Sequence, residues 1–118
     1  MRRDMDVIRQ IVLAVREAKG GVGGLDGLEP DVFAEHVRLL DEAGLVTAAV
    51  QAVQQRTTAA VVWRLTWAGQ DFADAIKDTS LWQKAKDDVI KPAGSWTFGV
   101  LLDYLKAEIT RGLPGLPL

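Results

Sequence analysis

The stretch His36-Val37-Arg38-Leu39-Leu40-Asp41-Glu42-Ala43-Gly44-Leu45-Val46 constrains the fold more than any other part of this chain. Phe33, Val37 and Leu40 recur at spacings of four and three, so they share one face of a helix. Pro30 suits the first turn of that helix, where a missing N–H leaves no bond unmade. Gly44 supplies a left-handed cap, and Leu45 can pack back on Leu40. From Val46 to Val53 and from Ala59 to Thr66 the residues are small or β-branched, with the polar run Gln54-Gln55-Arg56-Thr57-Thr58 between them. That pattern predicts an antiparallel hairpin with Val61, Trp63 and Leu65 on one face of its second strand, and Val62 and Arg64 on the other. Thr66 then starts a new helix as its N-cap. A helix stopped by glycine, a two-stranded ribbon and a fresh helix together spell a winged helix.

Helical spacing also governs the flanks. Met5, Ile8, Ile11, Val12, Val15 and Ala18 predict a first helix, with Asp4 and Asp6 near its positive end and Arg16 and Lys19 near its negative end. The run Gly20-Gly21-Val22-Gly23-Gly24-Leu25-Asp26-Gly27 has neither the dinucleotide spacing nor a P-loop lysine, and it follows a helix where those motifs follow a strand. It reads as a flexible connector, with Leu25 and Leu28 candidates for a short third strand. After Thr66, residues Phe72, Ala75, Ile76, Trp82, Ala85 and Val89 keep a helical period up to Pro92, with a break expected at Asp78-Thr79-Ser80. A last helix carries Phe98, Leu101, Leu102, Leu105 and Ile109 and ends at Gly112. The closing residues 113–118, rich in proline, read as a flexible tail.

At 118 residues the chain buries roughly two thirds of its unfolded surface, enough for one autonomous core. We therefore expect a single α+β domain over residues 1–112: a winged helix-turn-helix-like body, a two- or three-stranded antiparallel wing and additional C-terminal helices. With 48% hydrophobic and 25% charged residues, the composition is that of a globular protein. The absence of cysteine excludes disulfides, thiolate metal sites and a cysteine nucleophile. The longest apolar runs fall far short of the roughly 20 residues a membrane span needs, and acids interrupt any signal-peptide core behind Arg2 and Arg3. A cytoplasmic location is the expectation.

Three stretches carry a family resemblance: residues Met1 to Arg9; His36-Val37-Arg38-Leu39-Leu40 through Gly44-Leu45; and Arg64-Leu65-Thr66-Trp67-Ala68-Gly69-Gln70-Asp71-Phe72 through Ile76. On these the chain resembles the domain of unknown function family 2513, small bacterial and prophage proteins. The resemblance implies a winged-helix-like fold, a bacterial or phage origin and a regulatory role, and it lends no activity. Two departures stand out, an unusually bare glycine connector and a shortened or missing helix ahead of the one at Pro30.

Charge weighs on function. Between Glu29 and Gly44 five acids, Glu29, Asp31, Glu35, Asp41 and Glu42, stand against Arg38 alone. A recognition helix lies against phosphates, which such a segment repels. From Leu45 to Thr66 the only charges are Arg56 and Arg64, and up to Lys19 five bases exceed three acids. The candidate nucleic-acid contacts are therefore Arg2 and Arg3, His36 and Arg38 on the helix, and Gln54, Gln55, Arg56 and Thr57 at the wing tip. The plainer alternative for the tip is a solvated turn.

Other candidates are weaker. His36 is the sole histidine and is placed on a helix flank beside Arg38, short of the partners that a metal or catalytic site needs. Asp71, Asp74 and Asp78 share a helical face but lack loop or carbonyl ligands for calcium, so a solvated face is the reading. No nucleophile motif or cofactor fingerprint is present, so we expect no catalysis, metal, cofactor or small-molecule substrate. The tryptophans Trp63, Trp67, Trp82 and Trp96 are each expected in the core, with Trp82 or Trp96 the alternative partner anchors. The stripe Phe98, Leu101, Leu102, Leu105 and Ile109 is the candidate homodimer surface unless it covers the chain's own core. Two functions follow: a regulator that binds double-stranded DNA, and an adapter that uses the same scaffold against another protein.

Overall fold

A computed structural model describes residues 3–90 and 97–112. Among these residues the chain is mixed α+β, with five α-helices and a two-stranded antiparallel sheet, an arrangement compatible with a winged helix. The elements in order are α1 (Met5–Glu17), α2 (Pro30–Glu42), β1 (Val46–Val53), β2 (Arg56–Leu65), α3 (Trp67–Ile76), α4 (Thr79–Ala85), a π-helical turn (Lys86–Ile90) and α5 (Phe98–Gly112). The chain divides into two compact units between Ala73 and Asp74, inside α3.

In the first unit α1 turns Met5, Val7, Ile8, Ile11, Val12 and Val15 inward. Asp4 caps it, its carboxylate accepting from the N–H groups of Asp6 and Val7. Helix α2 buries Phe33, Ala34, His36, Val37 and Leu40 and packs on both strands. Its end closes as expected: Gly44 has φ +75°, its N–H donates to the Asp41 carbonyl, and the Leu45 N–H donates to the Leu40 carbonyl at 3.0 Å.

The hairpin is tighter than the polar run suggested. Val53 pairs with Arg56, so only Gln54 and Gln55 form the turn, at φ 51° and 66°. Positive φ at both central residues is the turn whose twist suits a hairpin, although asparagine and glycine adopt it more readily than glutamine. The register runs from Thr47↔Arg64 to Ala48↔Val62, which leaves Trp63 as an extra, bulged residue. This corrects the alternation expected from sequence. Ala60, Val62 and Leu65 are the buried residues of β2, while Trp63 is 56% exposed. The bulge moves Leu65 onto the face of Val62 and leaves Trp63 outside.

The glycine connector adds one bridging residue to the sheet, at Val22 rather than at Leu25 or Leu28. Val22 and Val62 exchange two antiparallel backbone bonds of 2.9 Å. Between Val22 and Pro30 the chain makes a single turn, in which the Leu28 N–H donates to the Leu25 carbonyl at 3.1 Å.

Thr66 caps α3 and ties it to the hairpin's start. Its hydroxyl accepts from Gly69 N–H and donates to the Gly44 carbonyl at 2.7 Å, and its own N–H donates to the Leu45 carbonyl.

In the second unit the break predicted near Asp78 is present, with Asp78 capping α4 by accepting from Leu81 N–H at 2.8 Å. Trp82, Ala85, Val89, Leu101 and Leu105 are buried. Across the pair of helical segments Lys84 meets Glu108 at 2.8 Å, and the Tyr104 hydroxyl donates to Asp88 at 2.7 Å. Burial, reinforced by that carboxylate, pushes the Tyr104 hydroxyl up to about 12.

Candidate interaction surface

The surface that a winged helix turns toward DNA is built here from α2 and the hairpin tip, both in the first unit. His36 is absent from it. The imidazole is 1% exposed, held between its own helix and the start of α1. Its Nε2 accepts the Asp4 N–H at 2.9 Å, because a backbone amide can only donate, and so Nδ1 carries the hydrogen and donates to the Val32 carbonyl at 2.8 Å. This corrects the flank position expected from sequence. His36 is a buried tie between α2 and the cap of α1, and it reaches no base edge.

Arg38 is consumed locally. Its guanidinium bonds the carboxylate of Glu35 one turn back and that of Glu42 one turn on, with Nε at 3.1 Å from both Glu35 oxygens. The Arg38 hydrogen bond, aided by one from Thr57 and opposed by partial burial, holds the Glu35 carboxyl at about 2 against an ordinary 4.5. The same partner raises Arg38 above its usual value. The helix therefore offers no uncommitted base, while Asp31, Asp41 and Glu42 are exposed along it.

The wing tip lies against this acidic helix. Asp31 and Glu35 line one open cleft with Gln55, Arg56 and Thr57, and Pro30 and Asp31 line another with Gln54 and Thr58. Arg56, the wing's base, thus lines the same cleft as two carboxylates of α2. Arg3 is exposed next to Asp4, whose N–H bonds His36 of α2, and Arg2 lies outside the described residues.

Aromatic exposure was not anticipated for the hairpin. Trp67 is 87% exposed at the first position of α3, and Trp63 projects from the bulge. Placing them in the core followed from average tryptophan burial; the signal against it was local, since Thr66 as N-cap points the next side chain outward and a bulge cannot be read from alternation. Trp82 is buried as expected, and Trp96 lies outside the described residues.

Two of the five residues of the expected homodimer stripe on α5 belong to the chain's own core. Leu101 and Leu105 are fully buried, and Phe98, Leu102 and Ile109 are half-buried. Among the described residues no group of three or more histidine or acidic side chains is placed to hold a metal, Asp71, Asp74 and Asp78 included. No described helix is long and apolar enough to cross a membrane.

Two residues that organise the unit carry little signal in sequence. Asp4 reads as one more acid at a helix start, yet it both caps α1 and bonds His36. Gly69 reads as an ordinary small residue, yet α3 passes so close to the chain at Leu45 that a Cβ there would lie 1.9 Å from the Leu45 carbonyl oxygen.

Fold and surface together describe a small α+β protein whose arrangement is compatible with a winged helix and whose helix α2 is acidic. Within that class the chain belongs to the family described as "Hypothetical protein (DUF2513)", whose model matches residues 2–95. An uncharacterized protein of Haemophilus influenzae is 29% identical over 94 residues, covering 75% of this chain and 79% of that protein. No solved structure matches the chain.

Proposed function

We propose that this chain is a protein-interaction adapter on a winged-helix-like scaffold and carries out no catalysis. The observation behind the reading is the state of α2: its one base is held by Glu35 and Glu42, its histidine is buried, and its outer side presents acids. Duplex DNA is attracted by uncompensated Lys and Arg, and an acidic convex helix repels it. A protein partner with a basic surface complements the same helix, and the exposed Trp67 supplies the kind of rigid apolar anchor that interfaces concentrate.

The competing reading is a regulator that docks DNA through Arg56 and Arg64, both exposed on the hairpin. One set of measurements separates the two. Fluorescence anisotropy with labelled duplex DNA, from low to physiological salt, is expected to show no saturable binding. Affinity purification from the native host is expected to yield a stoichiometric protein, released by salt and lost with Asp31→Lys plus Asp41→Lys. Salt-sensitive DNA binding that Arg56→Ala abolishes would overturn the adapter reading and establish the other.

A further inference from the structure

We propose that the open edge of the sheet at Gly21–Gly23 pairs with the same segment of a second copy of this chain, antiparallel and centred on Val22. Val22 spends both its N–H and its C=O on Val62. In an antiparallel ladder the residues on either side then turn theirs the opposite way, so Gly21 and Gly23 direct their backbone groups outward, and both are exposed. The edge is short, a single bridge at Val22, but residues 20–25 contain no proline and no charge to block a further strand, and the glycines leave the backbone bare.

A second observation points to the same place. The indole of Trp63 lies over Gly21, close enough that a Cβ on that glycine would sit 2.9 Å from the ring, and yet the side chain is 56% exposed. A strand added at the edge extends the surface beside this ring and covers more of it.

The occupant is argued from charge. Lys19 lies three residues before Val22 and Asp26 four after, both exposed. A two-fold axis at Val22 sets each Gly21 opposite the other copy's Gly23, and it brings each Lys19 to the end where the other copy's Asp26 stands. The segment is thus complementary to itself in charge as well as in hydrogen bonding, which an isologous contact requires. This pairing concerns the chain alone and stands or falls apart from the adapter reading.

Sedimentation equilibrium of the purified full-length chain tests it. A weak dimer with Kd on the order of 100 µM is expected, and a wholly monomeric chain at about ten times that concentration would overturn the proposal. Gly23→Pro removes one outward N–H without touching the Val22–Val62 bonds and should weaken the dimer about tenfold or more, with the circular-dichroism melt checking that it folds. Should that variant fail to fold, charge exchange decides: Lys19→Glu and Asp26→Lys should each weaken the dimer, and the double variant should restore it. A dimer indifferent to these changes also overturns the proposal, because it must use another surface.

Discussion

At Gly69 the choice between a hydrogen and a methyl group decides whether α3 can start where it does. An ideal Cβ there meets the Leu45 carbonyl oxygen at 1.9 Å, and that carbonyl also accepts the Thr66 N–H. Neither partner is the loose end of a side chain, so Gly69→Ala must push backbone from backbone. We expect it to cost about 3 kcal/mol or more, seen as a lower urea midpoint at unchanged slope. Glu35 offers a titration at the same scale. Its folded-state carboxyl sits at about 2 and the ordinary value is 4.5, so the unfolded chain takes up the proton first as pH falls. The stabilisation is fully present above pH 4.5 and is lost as pH drops toward about 2. Glu35→Gln should therefore flatten the fall in Tm across that window, and Arg38→Ala should move the Glu35 carboxyl back up in an NMR titration. Both residues were visible in the sequence as an acid and a base one turn apart, but Thr57, which arrives from the hairpin, was not.

Among the elements the hairpin departs furthest from expectation. Period-two alternation put Val61, Trp63 and Leu65 together, and the structure breaks that set with one extra residue at Trp63. A bulge obeys pairing across strands, which local periodicity does not contain. The turn shows a related compromise, since Gln54 and Gln55 both occupy positive φ, a region that costs a non-glycine residue about 1 kcal/mol. Replacing them together by Asn-Gly should raise stability by about 1 kcal/mol in chemical denaturation, with the Val53–Arg56 register retained. Helix α2, by contrast, was legible from Pro30 to its glycine cap. Every signal that defines it lies within a few residues along the chain. The glycine connector was legible as a breaker, but its pairing fell at Val22 rather than at Leu25 or Leu28, because the partner, Val62, stands 40 residues away.

Across the whole molecule the tryptophans divide by environment. Trp82 is buried in the second unit, whereas Trp67 stands almost wholly in solvent. Trp82→Ala is expected to cost about 3–5 kcal/mol and Trp67→Ala within about 0.5 kcal/mol, measured by thermal or urea unfolding. A Trp67→Ala variant that keeps its fold while losing a protein partner would link that exposure to binding. Local order alone specified much of this protein: the amphipathic helices, the cap at Thr66, the break near Asp78, the glycine stop at Gly44 and the acidity of α2 are all short-range properties of the chain. Tertiary structure decided the rest. It buried His36 on Asp4, bulged Trp63 outward, brought Val22 onto Val62 and laid the wing tip against Asp31 and Glu35, because each of these depends on which distant backbone groups must find partners once water is excluded.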